Sequence, residues 1–207
     1  MTHPGGDPGR EALVRRLRGL GYLELFHRAD PSAAAALRDE PGGRERLREV
    51  MLDPGAPGEA RFLAAEVLAL GDAGDAPPGD AAALAPVYAA ALAGGWTGWG
   101  NAWGIPGEVE GPAGRHLRAL GTAAVAPLWE LLEDGAPVRY SGSQVATLGN
   151  AFAFRVKDLA LYFVRGIRGE PLDVRRDPAE RDAQIASLRA ALMAETRMER
   201  DNPKGDG

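Results

Sequence analysis

At 207 residues, with 45% hydrophobic and 26% charged residues, the chain is sized for one domain or a modest repeat array of ordinary globular composition. It has no cysteine, which excludes disulfides, thiolate nucleophiles and cysteine-based metal sites. A formal net charge of -5 opposes non-specific adhesion to nucleic acid or anionic membrane, so neither is expected as a partner.

Of the 24 basic residues only Lys157 and Lys204 are lysine. With abundant Ala, Gly and Pro, this bias has the look of a GC-rich genome and lends individual arginines little functional weight. The opening MTHPGGDPGR has no apolar h-region, and no run reaches the length of a membrane span. The default expectation is a soluble cytoplasmic protein.

Alternating β-branched runs are absent, and apolar residues recur at spacings of three and four, which predicts an all-α fold. After a disordered stretch, 1–9, a first helix is expected from about Arg10 to Leu20, striped by Leu13, Val14, Leu17 and Leu20. Pro31 opens a short alanine-rich helix that Pro41-Gly42-Gly43 breaks. The next segment reads as helix, DPGAPG turn, helix, with Leu47, Val50 and Met51 facing Phe62, Leu63, Val67, Leu68 and Leu70 until Gly71 ends it. Asp80 can cap AAALAPVYAAALAGG, Pro112 suits the first turn of GPAGRHLRALG, and Thr122 can cap AAVAPLWELLEDG. In AFAFRVKDLALYFVRGIRG, Phe152, Val156, Leu159, Ala160, Phe163 and Ile167 share one face, and Arg155, Asp158, Tyr162 and Arg165 the other. Asp177-Pro178 starts a last helix to about Ala194, striped by Ile185, Leu188 and Leu192, and 196–207 reads as a flexible tail. Leu63, Val67, Leu84, Val125, Leu128, Val156, Leu159 and Phe163 are the expected core.

AAALAPVYAAALAGG and AAVAPLWELLEDG align, with Pro86 over Pro127 and Tyr88 over Trp129, and each follows a helix ending in Leu-Gly. A proline repeated in register inside a helix points to a repeated supersecondary unit. The pattern resembles a HEAT-type repeat: LREVMLDPGAPGEARFLAAEVLALGD looks like a complete unit, with Arg61, Ala64, Ala65, Leu68 and Leu70-Gly71 in its second helix. AVAPLWELLEDG is similar to the family's first helix and RVKDLALYFVRGIRG to its second. The resemblance implies a single HEAT-like helical-repeat domain over 10–195, a right-handed alpha-alpha superhelix with units at about 43–71, 80–121 and 122–168 and capping helices at both ends. It implies a scaffold or binding surface rather than a particular chemistry.

Units two and three carry long insertions at the same joint, 94–111 and 134–150. Stacked units place equivalent loops along one edge, so the two loops should be neighbours. The first, GGWTGWGNAWGIPGEVEG, holds Trp96, Trp99 and Trp103 among glycines. Either the tryptophans fold back over the core and order the loop, or they form a partly exposed platform with Asn101, Tyr140 and Ser141. Arg155 and Asp158 are either a solvent-facing ion pair or a tie that holds both loops by charge-assisted bonds to backbone.

Catalytic signals are sparse. His3, His27 and His116 share no metal-ligand spacing, and the latter two read as surface or satisfied interface histidines. There is no phosphate-binding or dinucleotide loop, Ser141 and Ser143 lack a nucleophile elbow, and Asp72, Asp75 and Asp80 do not space as a calcium loop. Glu108 and Glu110 are two loop acids that could pair for acid–base work. No cofactor, metal or catalytic residue is expected. The leading expectation is a non-enzymatic module that binds a protein or peptide. The alternative is a small-molecule or carbohydrate binder, or an unrecognised enzyme, with its site between the two loops.

Overall fold

The structure, a computed structural model, describes residues 7–27, 32–70, 80–142 and 144–201. Expectations for His3, Pro31, Gly71, Asp72, Asp75, Ser143 and residues 202–207 lie outside them. The protein is all-α: among the described residues helix accounts for 71% and strand for 3%.

Helix α1 (Pro8–Phe26) starts earlier than expected because Asp7 caps it, accepting a bond from the Gly9 N–H. It kinks at Gly21, where φ is +66°, and continues through Tyr22 and Leu25 instead of ending at Leu20. Helices α2 (Ser32–Asp39), α3 (Gly43–Leu52) and α4 (Gly58–Ala69) follow, and α3 and α4 pack closely as an antiparallel pair across the DPGAPG turn. Arg61 secures that turn. Its Nε donates to the Met51 carbonyl at 2.9 Å and a terminal nitrogen to the Ala83 carbonyl at 3.1 Å, joining α3 to α5 (Ala81–Ala93). Arginine here has a structural job that composition gave no reason to expect.

Asp80 caps α5 as predicted, by accepting from the Ala82 N–H. The 94–111 segment is ordered rather than irregular. It contains a 3-10 turn at 100–102 and a hairpin of β1 (Gly104–Ile105) and β2 (Val109–Glu110), antiparallel, with Gly104 opposite Glu110. Helix α6 (Pro112–Ala119) leads to a second departure: 121–124 is a 3-10 turn and α7 (Val125–Glu130) follows it directly, with Leu120 and Ala124 at their N-cap positions and no side-chain cap at either, so Thr122 caps neither. Val125 is half-buried, not fully buried; the other seven expected core residues are buried.

The second insertion is a loop only to about 142. Its latter part is helix α8 (Gln144–Phe152), which takes Phe152 off the face of α9 (Val156–Ile167). Helix α10 (Pro178–Asp201) starts at the Asp177 cap and runs past its expected end to Asp201.

One apolar core runs from Leu13 in α1 to Leu188 in α10, and a satellite of Ile105, Tyr140 and Phe154 lies under the two insertions. Within the main core Phe62 gathers several aromatic rings, 5.1 Å from Tyr88, 5.8 Å from Tyr22 and 6.0 Å from Trp103, centroid to centroid. Among the described residues no helix is long and apolar enough to cross a membrane.

Because Phe62 is wholly buried and touches aromatic rings from three other segments, Phe62→Ala is expected to cost about 3–5 kcal/mol. Reversible denaturant unfolding followed by circular dichroism checks this.

Candidate functional site

The two insertions meet. Between 136 and 141 the chain is extended and pairs on one side with 154–156: the Val138 N–H donates to the Phe154 carbonyl at 2.8 Å and the Val156 N–H to the Ala136 carbonyl at 2.9 Å. On its other side the Gly100 N–H donates to the Arg139 carbonyl at 2.7 Å. Two asparagines extend both pairings. The Asn101 amide accepts from the Ser141 N–H at 2.9 Å and donates to the Ser141 carbonyl at 2.8 Å. The Asn150 amide, from α8, accepts from the Tyr140 N–H and donates to the Tyr140 carbonyl, both at 3.0 Å. A primary amide carries a donor and an acceptor side by side, as a peptide unit does, so each substitutes for a strand residue where no strand exists.

Tyr140 lies inside this junction. Its hydroxyl donates to the Gly104 carbonyl at 2.9 Å, and burial pushes the phenol's pKa up. A Cβ on Gly100 would stand 2.6 Å from Val138 and 2.8 Å from the Tyr140 ring, so the close approach requires glycine.

The three loop tryptophans divide between the roles weighed for them. Trp103 is buried, 4% exposed, between Phe62 and Phe163. Trp96 is half-buried beside Phe62. Trp99 is also half-buried, and its ring stands edge-on to His27 at 5.4 Å. Its buried Nε1 has no hydrogen-bond partner, an arrangement that costs roughly 1–3 kcal/mol. Burial lowers the pKa of His27, because the low-dielectric surroundings disfavour the imidazolium.

Trp99 and Trp103 form one wall of a pocket of about 190 Å³ whose other wall is Pro137, Val138 and Arg139. Thr97, buried beneath it, donates its hydroxyl to the Trp99 carbonyl. The pocket's single ionisable lining residue is Arg139, which is exposed and has no ion pair among the described residues.

Arg155 and Asp158 form the expected ion pair, but the pair neither faces solvent nor ties the loops. Asp158 is 3% exposed, not solvent-facing. The Arg155 guanidinium does not reach the loops: it forks onto Asp158 at 2.8 and 3.0 Å and onto Asp182 of α10 at 2.9 and 3.1 Å. It ties α9 to α10, and only its backbone borders the second insertion. The buried Arg181, unsuspected from the sequence, holds the carbonyls of Phe152, Ala153, Arg175 and Arg176 and lies 3.2 Å from Asp158. It thereby steadies Ala153, the one non-glycine residue with positive φ (48°) among the described residues. Glu110 pairs with Arg118 rather than with Glu108, which is exposed.

A second polar cluster lies deeper. Glu66 of α4, 3% exposed, accepts from the Tyr88 hydroxyl at 2.6 Å and the Tyr22 hydroxyl at 3.3 Å, and its Oε1 is 2.6 Å from His116 Nδ1. Four helices thus converge on one carboxylate. The carboxylate at Nδ1 fixes the orientation of the imidazole ring, which pins α6 to α4. The sequence held a signal for it: Glu66 lies one helical turn from Phe62 on the apolar face of FLAAEVLAL. Asn150 and Arg139 carried no such mark. Among the described residues no His, Asp and Glu cluster could hold a metal ion. The chain matches no protein-family model, no curated protein and no solved structure.

Burial, reinforced by the facing Glu66 carboxylate, raises the Tyr22 and Tyr88 pKa values well above 10, and burial raises that of Tyr140. A raised folded-state pKa contributes stability that is present below pH 10 and lost above it. In an alkaline titration at 295 nm these three tyrosines are expected to ionise only as the helical circular dichroism collapses. Their ionisation in the folded protein near pH 10 would contradict that burial.

Proposed function

We propose that the protein is a non-enzymatic interaction module that binds a peptide segment of a partner protein in the pocket between its two insertions. The observation that carries this reading is the character of that pocket. At about 190 Å³ it is smaller than the roughly 300–1,000 Å³ of typical small-molecule sites, and is sized for one side chain. Arg139 is its only ionisable lining group, so it offers no acid–base pair. Its walls are held by backbone and asparagine bonds, a preorganisation that lowers the entropic cost of association.

The same proposal takes the helices as a HEAT-like repeat array. In support, α5 packs on α7 and α6 on α9, the first-on-first and second-on-second contacts that stacked two-helix units make.

Panning a displayed library of random dodecapeptides against the protein tests the reading. Ala136 is exposed at the pocket wall, so Ala136→Trp places a large side chain at the pocket while leaving every core side chain unchanged. Peptides enriched on the wild-type protein are expected to lose at least about tenfold in affinity on the Ala136→Trp variant at unchanged thermal stability, a loss of about 1.4 kcal/mol. No enrichment, or equal binding to the plugged variant, would overturn the proposal.

A further inference from the structure

The pocket exists because a ladder is left incomplete. Residues 136, 138 and 140 turn their peptide groups toward α8 and the 154–156 segment, as the Val138, Ala136 and Tyr140 bonds show. In an extended chain the N–H and C=O of one residue point the same way, and alternate residues point oppositely. Residues 137, 139 and 141 therefore face the first insertion. Ser141 is paired there by Asn101, and the Arg139 carbonyl by Gly100. Past that point the two segments diverge. The Arg139 N–H and the Pro137 carbonyl have no partner among the described residues, and both residues line the gap opposite Trp99.

An unpaired carbonyl and an unpaired N–H two residues apart on one edge are the two groups that a parallel-bridged strand residue bonds. One ligand residue can donate its N–H to the Pro137 carbonyl and accept from the Arg139 N–H. Its side chain then has the space beside Trp99 and Leu92 to enter, and its neighbour lies against the Arg139 guanidinium. In a chain of net charge -5 an arginine with no ion pair at a pocket rim selects an acidic neighbour.

We infer that the site recognises an extended peptide through its main chain, at a single apolar residue next to an acidic one, by adding a short parallel bridge to the 137–139 edge. This rests on the peptide-binding reading above and says how the peptide is held.

The test uses the consensus peptide from the dodecapeptide selection, resynthesised with each residue N-methylated in turn, against the full-length protein. N-methylation removes one ligand N–H and leaves every side chain in place. Methylation of the apolar residue is expected to weaken binding about tenfold, and methylation of its flanking residues much less. In ¹⁵N-labelled protein the Arg139 amide resonance should shift downfield as the peptide saturates. Arg139→Gln, which keeps the backbone N–H, should weaken binding several-fold and flatten its salt dependence. A consensus without an acidic residue, or tolerance of N-methylation at every position, would overturn the inference while leaving peptide binding in place. Failure to select any peptide would overturn both.

Discussion

Where an irregular segment passes a buried side chain such as Tyr140, its peptide groups need partners that neither helix nor sheet supplies, and the rest of this structure depends on how that is done at one place. Tyr140 and Ser141 are adjacent residues whose backbones face opposite ways, and each meets an asparagine amide, Asn150 on one side and Asn101 on the other. These two amides connect the insertions to each other and to α8. Without them, the Tyr140 and Ser141 peptide groups would lose their protein partners, and the second insertion would be tied to the first by the Gly100–Arg139 bond and the Tyr140 hydroxyl alone.

The hydrogen bonds set direction, and aromatic burial supplies the adhesion. Ordering backbone costs about 1–2 kcal/mol per residue, so a long glycine-containing insertion needs large side chains buried with it. Trp103 enters the main core, while Ile105 and Tyr140 build the satellite core beneath the hairpin. The first insertion thus spans both cores. Of the two helices that receive Trp103, α4 also carries Glu66, whose carboxylate gathers hydroxyls from α1 and α5 and the imidazole from α6. A buried carboxylate tolerates few alternative packings, because losing any donor leaves charge unsatisfied. Glu66 therefore fixes the mounting, and the asparagines fix what is mounted on it.

Helical periodicity made most of the helices legible, along with the Asp80 and Asp177 caps and the adjacency of the two insertions. Aromatic size marked the three loop tryptophans as candidates for burial without distinguishing Trp103 from the other two. What stayed hidden depended on partners distant in the chain. Asp158 lies on the polar face of α9 by periodicity, yet Arg155 and Arg181 allow it to be buried. Arg181 looks like any surface arginine in a polar helical turn, and only the fold shows that four carbonyls need it. The hairpin was too short for alternation to reveal, and α8 was hidden inside a stretch whose serines and glycines read as loop. Asn150 and Arg139 could not be distinguished from other polar loop residues, because their roles come from the geometry of the 136–141 segment and not from local spacing.

The central claim is that the two insertions form one preorganised surface in the free protein. Native-state amide hydrogen exchange tests it most directly, at the N–H groups of Gly100, Tyr140 and Ser141, which bond to Arg139, Asn150 and Asn101. The account predicts protection of all three within the range of the α4 and α9 amides, since opening them requires unseating Tyr140 and Trp103. Exchange of these three at free-peptide rates, in a protein whose α4 and α9 amides remain protected, would contradict it.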